Sequence, residues 1–137
     1  MGYTHYWRIH QRMNPELFAN FSSDCEKLVK ASDVPITGGS GEEGEEPEFS
    51  TKLVNFNGIN DDAHETFYVK VNDSGFNFCK TARKPYDKVV TACLILLKHY
   101  FNFIEVSSDG DLDEWKYGIE LFKSVFPDRT ISLSLRN

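Results

Sequence analysis

The segment Phe76-Asn77-Phe78-Cys79-Lys80-Thr81-Ala82-Arg83-Lys84-Pro85-Tyr86-Asp87 runs through an apolar stretch, Val89 to Phe101, into Phe103-Ile104-Glu105-Val106-Ser107-Ser108-Asp109-Gly110. Phe76 to Thr81 follows an Asp73-Ser74-Gly75 turn and reads as a strand. Pro85 begins a helix whose middle, Val89 to Leu97, has almost no polar face, so it must pack against a sheet on one side and other elements elsewhere. Phe103 to Ser107 reads as a second strand, closed by the Ser108-Asp109-Gly110 turn. Strand, helix and strand form a β-α-β unit. If the two strands are parallel within one sheet, the crossover is right-handed and their carboxyl ends share an edge.

That edge gathers Lys80, Thr81, Arg83, Lys84 and Tyr86 from one segment and Ser107, Ser108 and Asp109 from the other. Crevices outside strand carboxyl ends are common ligand sites in open sheets. The start of the Pro85 helix offers N–H groups with partial positive charge, and Arg83 and Lys84 add full charges. Arg can grip a phosphate through two bonds, the serines can donate, and Asp109 can accept from a sugar hydroxyl or base amine. The expected ligand is a small anionic or nucleotide-like molecule. The plainer alternative is a set of surface ion pairs around a helix start beside an ordinary turn.

Upstream, Tyr3 to Ile9 reads as an aromatic-rich strand. Alternation puts Tyr3, His5 and Trp7 on one face, where His5 and Trp7 could stack a base if they are not core. Asn14-Pro15 signals a helix over roughly residues 15–30, with Leu17, Phe18, Phe21, Cys25, Leu28 and Val29 as its apolar stripe. Val34 to Thr37, Thr51 to Phe56 and Thr66 to Val71 are further strand candidates, the last two forming an antiparallel meander with Phe76 to Thr81. Asp111 and Glu114 suggest a capping box for a third helix with a stripe of Leu112, Trp115, Ile119, Phe122 and Phe126. Ile131, Leu133 and Leu135 form an edge strand or lie unpaired.

The expected fold is α+β: a single mixed sheet of about five to six strands, with helices mainly on one face and the β-α-β unit within it. All 137 residues form one domain, long enough to bury roughly two-thirds of the unfolded surface. Glu42, Glu43, Glu45, Glu46 and Glu48 crowd a flexible loop of about residues 38–48; setting their five charges aside from the net −6 leaves −1. This balance argues against a duplex nucleic-acid partner, which needs a basic surface. The loop is a solvated charge run or a contact for a basic partner or cation.

The odd cysteine count (Cys25, Cys79, Cys93), with no Cys-x-x-Cys, points to neither disulfides nor zinc, and the four histidines lack ligand spacing, so neither metal nor cofactor is expected. No leader-like or spanning stretch is read, so the expected location is a cytoplasm, without membrane contact. His64-Glu65-Thr66 matches one His-x-Thr element of two-histidine phosphoesterases, but a second copy is missing.

Gly2-Tyr3-Thr4-His5-Tyr6-Trp7, Val34-Pro35-Ile36, Phe56-Asn57-Gly58, Asp62-Ala63-His64-Glu65-Thr66-Phe67, Phe78 to Asp87 and Val106 to Gly110 occur in order. Together they resemble a family of small uncharacterised proteins of phages and bacteria, over the chain to about residue 126, with fewer residues here between Val71 and Phe76. The resemblance implies a phage or prophage setting and the cytoplasm of a host cell, without a mechanism. The leading expectation is therefore a non-enzymatic binder of a phosphorylated or nucleotide-derived molecule, sequestering a host immune signal. The alternatives are an inhibitor or accessory factor that binds a host protein, through the acidic loop or an aromatic patch, and a phosphodiester hydrolase using His64 or His5. Self-association is a further open partner reading.

Overall fold

The computed structural model describes residues 2–135. Six strands and three α-helices follow in the order β1 (Thr4–Ile9), α1 (Pro15–Ala31), β2 (Glu48–Phe49), β3 (Leu53–Phe56), β4 (Phe67–Lys70), β5 (Gly75–Lys80), α2 (Asp87–Tyr100), β6 (Glu105–Ser108) and α3 (Lys116–Val125), with a 3₁₀ turn at Asn60–Asp62 between β3 and β4. No helix among the described residues is long and apolar enough to cross a membrane.

The α+β class is as expected, but the single sheet is not. Two three-stranded antiparallel sheets form instead, ordered β5-β1-β6 and β2-β3-β4. Because β5 and β6 both run antiparallel to β1, they are parallel to each other, with β1 inserted between them. The β-α-β unit thus spans β1 rather than joining adjacent strands.

The meander breaks between β4 and β5 for a local reason. Val71 N–H donates to Lys52 on the β3 side, so the neighbouring Lys70 N–H faces away from β3. It is taken at 2.8 Å by the Asp73 carboxylate. At the other end, Thr81 N–H donates to Tyr3 on the β1 side, and the outward Lys80 N–H is taken at 2.7 Å by Glu65 Oε1. Two carboxylates therefore occupy donors that a β4–β5 ladder would use. Among the described residues, the one backbone bond across this seam runs from Glu65 N–H to Lys80 C=O, 3.1 Å.

Asn14 caps α1 as its sequence suggests, accepting from the Glu16 and Leu17 N–H groups. The helix buries Phe18, Phe21, Cys25 and Leu28. Helix α2 is buried continuously from Val89 to Leu97 and packs between α1 and α3. These helices cover the β1 face bearing Tyr3, His5, Trp7 and Ile9, all nearly or fully buried. Helix α3 begins later than expected: Asp111 Oδ1 does accept the Glu114 N–H, but residues 111–115 form a turn, and Leu112 stays 41% exposed instead of joining the buried stripe. Two further strand candidates are absent: Val34 to Thr37 contributes only a bridge from Thr37 to Asn57, and Ile131, Leu133 and Leu135 pack half-buried on the core without strand pairing.

The acidic loop is tied at several points. Glu45 Oε1 accepts from both the backbone and the hydroxyl of Ser40, which holds its carboxyl below the usual range. Gly39 C=O accepts from Asn57 and Thr66 side chains.

Candidate functional site

Antiparallel pairing of β1 with β5 and β6 places the first residues of β1 between the last residues of the other two: Thr4 faces Lys80, and His5 faces Ser108. The two polar segments identified in the sequence therefore do meet beside the start of α2. Their side chains divide between a buried network, a cavity and the opposite sheet face.

The buried network is continuous. Thr81 Oγ1 donates to Asp87 Oδ1 at 2.5 Å, and His5 Nε2 lies 2.7 Å from the same oxygen. His5 Nδ1 lies 2.7 Å from Ser108 Oγ, which also accepts from the Gly110 N–H (2.8 Å) and the Trp115 indole N–H (3.0 Å). With two donors already on its oxygen, the Ser108 hydroxyl must give its own proton to Nδ1. Nε2 then carries the imidazole proton and donates it to Asp87. His5 is fully buried, with Tyr3 and Trp115 edge-on to it at centroid distances of 5.0 and 5.1 Å.

This Ser108–His5–Asp87 series has the polarity of a nucleophilic triad. Its chemistry is nonetheless closed. Both Ser108 lone pairs are engaged by N–H donors, so none is free to attack a substrate. Thr66, of the His-x-Thr element, donates instead to Gly39 C=O. The thiols are equally inert: all three are buried, and burial pushes Cys79 up to about 12.

The turn before α2 is strained. Thr81 and Ala82 N–H groups both donate to Tyr3 C=O, and Ala82 and Arg83 adopt left-handed φ values of 53° and 59° in succession. Each costs an L-residue about 1–2 kcal/mol. The turn carries the Arg83 guanidinium over the Tyr3 ring, 4.1 Å from its centroid, where Nε and Nη2 both donate to Glu114 Oε2. Glu114 was expected to complete a capping box; it serves this contact instead.

Outside the network, a cavity of about 470 Å³ opens between the starts of α2 and α3. Arg83, Lys84, Asp87, Lys88, Glu114 and Tyr117 line it, with Tyr3, Val34, Pro85 and Gly118. Its volume lies within the ~300–1,000 Å³ typical of small-molecule sites. Arg83 and Glu114 neutralise each other, whereas Lys84 and Lys88 form no ion pair among the described residues. Tyr117 is 60% exposed at the rim. The Tyr3 hydroxyl is buried against Gly110 without a hydrogen-bond partner among the described residues, and burial first, then Asp87, pushes its pKa upward, so the phenol stays neutral. The helix end itself is not open to an anion as expected: Asp87 puts its own carboxylate in the first turn, and the Asp87 N–H donates to Lys84 C=O.

Of the expected ligand residues, Arg83 and Lys84 line the cavity. Thr81, Ser108 and His5 belong to the network behind it. Tyr86 is fully buried, its hydroxyl donating to Glu65 C=O at 2.5 Å. Trp7 is 1% exposed and lies in the core, so its face of β1 is not a stacking surface. Lys80 and Ser107 lie on the opposite sheet face; Asp109 accepts there from the Tyr6 hydroxyl and the Thr4 N–H. The sequence reading missed Lys88, Glu114 and Tyr117. The available signal was Gly118 within a helix: a Cβ there would lie 1.9 Å from Thr91 Oγ1, so glycine lets α3 cross close to α2. No group of three or more potential metal ligands occurs among the described residues.

Comparison with known proteins finds no matching family model, no matching curated sequence and no matching solved structure.

Proposed function

We propose that the chain binds a small phosphorylated or nucleotide-derived molecule in the cavity between α2 and α3, without transforming it. The observation that carries this reading is the pairing of two lysines without carboxylate partners among the described residues, Lys84 and Lys88, with the exposed Tyr117 ring in one cavity of about 470 Å³. The lysines supply charge for a phosphate, and the ring supplies a face for a base. The closed hydroxyl of Ser108 favours holding a ligand over cleaving it. In the phage setting implied by the sequence resemblance, such a protein sequesters a host signalling nucleotide in the host cytoplasm.

The test is a thermal-shift and calorimetric screen of mono-, di- and cyclic nucleotides with inorganic phosphate as reference. A ligand at 100 times its Kd stabilises the fold by about 2.7 kcal/mol. Lys84→Ala and Lys88→Ala are expected to weaken binding with the fold intact, and Tyr117→Ala to weaken nucleotides more than phosphate. A screen without a hit, or hits indifferent to both lysine variants, overturns the proposal.

A second reading is a protein-binding accessory factor acting through the acidic loop, where the five clustered Glu residues are all exposed. Replacing them with Gln removes capture of a basic partner if this loop is the contact; unchanged capture rejects it.

A further inference from the structure

Sheet β5-β1-β6 has one face against the helices. On its other face Tyr6 stands directly across from Phe78 and stacks with Phe76, the ring centroids 5.7 Å apart at an interplanar angle of 27°. Phe76 and Phe78 are 6.0 Å apart and remain 53% and 55% exposed. Their spacing of two residues puts both on this face, and the register brings Tyr6 beside them. The Tyr6 ring is fixed by its hydroxyl bond to Asp109.

The charges on this face are unevenly committed. Asp109 is engaged by Tyr6 and Thr4, and Glu105 pairs with His10 at 3.0 Å. Arg8 lies over the Phe76 ring at 5.3 Å, and neither Arg8 nor Lys80 forms an ion pair among the described residues. The strip along β1 and β5 therefore carries three rings between two available cations.

We propose that this face binds single-stranded nucleic acid. The bases would stack on Phe76, Phe78 and Tyr6, with phosphates against Arg8 and Lys80. Antiparallel sheets backed by helices bind single strands in this way, through aromatic side chains on adjacent strands that stack two or three bases. A duplex keeps its base faces hidden and gains nothing from the rings. A second copy of the chain is a poorer occupant. Rings of ~150–250 Å² each, with Phe76 and Phe78 about half exposed and Tyr6 partly buried, offer roughly 250 Å² of aromatic surface, against ~800 Å² per partner in a stable interface. Thr4, Arg8, Lys80 and Ser107 around them further interrupt the apolar area.

The test is fluorescence anisotropy of the full chain with a labelled oligouridylate or oligothymidylate of about ten nucleotides and with the corresponding duplex. Saturable binding of the single strand, but not the duplex, is expected. Phe76→Ala and Phe78→Ala are each expected to weaken it at least ~5-fold, and Phe76→Leu, which keeps apolar volume without a π face, to weaken it too. Phe78→Tyr should retain binding. Arg8→Ala should lower affinity and flatten its salt dependence. Lys84→Ala and Lys88→Ala should leave it unchanged, which separates this surface from the cavity. The proposal is overturned by no saturable single-strand binding, by binding indifferent to the Phe76 and Phe78 variants, or by sedimentation showing a dimer that those variants dissolve.

Discussion

His5 and Asp87 lie 82 residues apart in sequence and 2.7 Å apart in space, joining the middle strand of one sheet to the first turn of the central helix. The contact is sealed: His5 has no solvent exposure, and Asp87 retains 17% of its side-chain surface. The pair therefore works as an internal fastening beside the cavity.

Cutting this fastening should be costly. His5→Ala takes one of two donors from Asp87 Oδ1, leaves the Ser108 hydroxyl proton without its acceptor, and opens a void among Tyr3 and Trp115. A loss of about 2–4 kcal/mol is expected from urea unfolding, because a buried partner is removed without replacement. An unchanged denaturation midpoint would show that the network contributes no stability.

The strained turn gives a prediction of opposite sign. Ala82 has φ +53°, which glycine adopts without penalty. Ala82→Gly relieves about 1–2 kcal/mol of backbone strain and adds about 0.5–1 kcal/mol of unfolded-state entropy cost, for a net gain near 0.5 kcal/mol. A lower melting temperature for this variant would contradict the left-handed assignment.

Acid sensitivity should trace to Asp24. Burial alone would raise its pKa, but hydrogen bonds from Tyr100 (2.5 Å) and Arg129 (2.8 Å) more than reverse this, leaving it below the ordinary 3.8. A carboxyl with a depressed folded pKa adds stability that is complete above its unfolded value and disappears as pH falls through the folded one. Stability should therefore drop below about pH 4, with a shallower drop in Asp24→Asn, as measured by urea midpoints across pH.

All three cysteines should resist modification in the folded protein. They are buried, and burial holds the Cys79 thiol at about 12. A thiol reagent at pH 8 should label none of them in buffer and all of them in denaturant. Rapid labelling without denaturant would show that the core opens readily around the thiols.

The convergence of residues 80–87 with residues 107–109 was legible because an apolar helix bounded by clear turns has few ways to connect two strands. The break in the sheet was not. It depends on Asp73 and Glu65 turning their carboxylates onto particular amides, and an acidic residue in a loop gives no sign of where its side chain will bond. Core and stacking stay open for Trp7 in the sequence because both faces of β1 carry aromatics; only helix packing distinguishes Trp7, buried, from Tyr6, outside. The Pro85 segment correctly announced a helix start, but Tyr86 there looks polar while serving as core, its hydroxyl satisfied by Glu65. One wall of the cavity, Glu114, Tyr117 and Gly118, comes from α3 and the turn before it, and the approach of α3 to α2 depends on the absence of a single side chain at Gly118.

The seam between β4 and β5 has a mechanical consequence. With the outward amides of Lys70 and Lys80 already held by carboxylates, the two sheets communicate mainly through side-chain contacts such as the Trp7–Phe67 ring pair, 5.4 Å between centroids. A joint held by packing rather than by a hydrogen-bonded ladder lets the two layers open separately, so native-state amide exchange is expected to resolve β5-β1-β6 and β2-β3-β4 as distinct units.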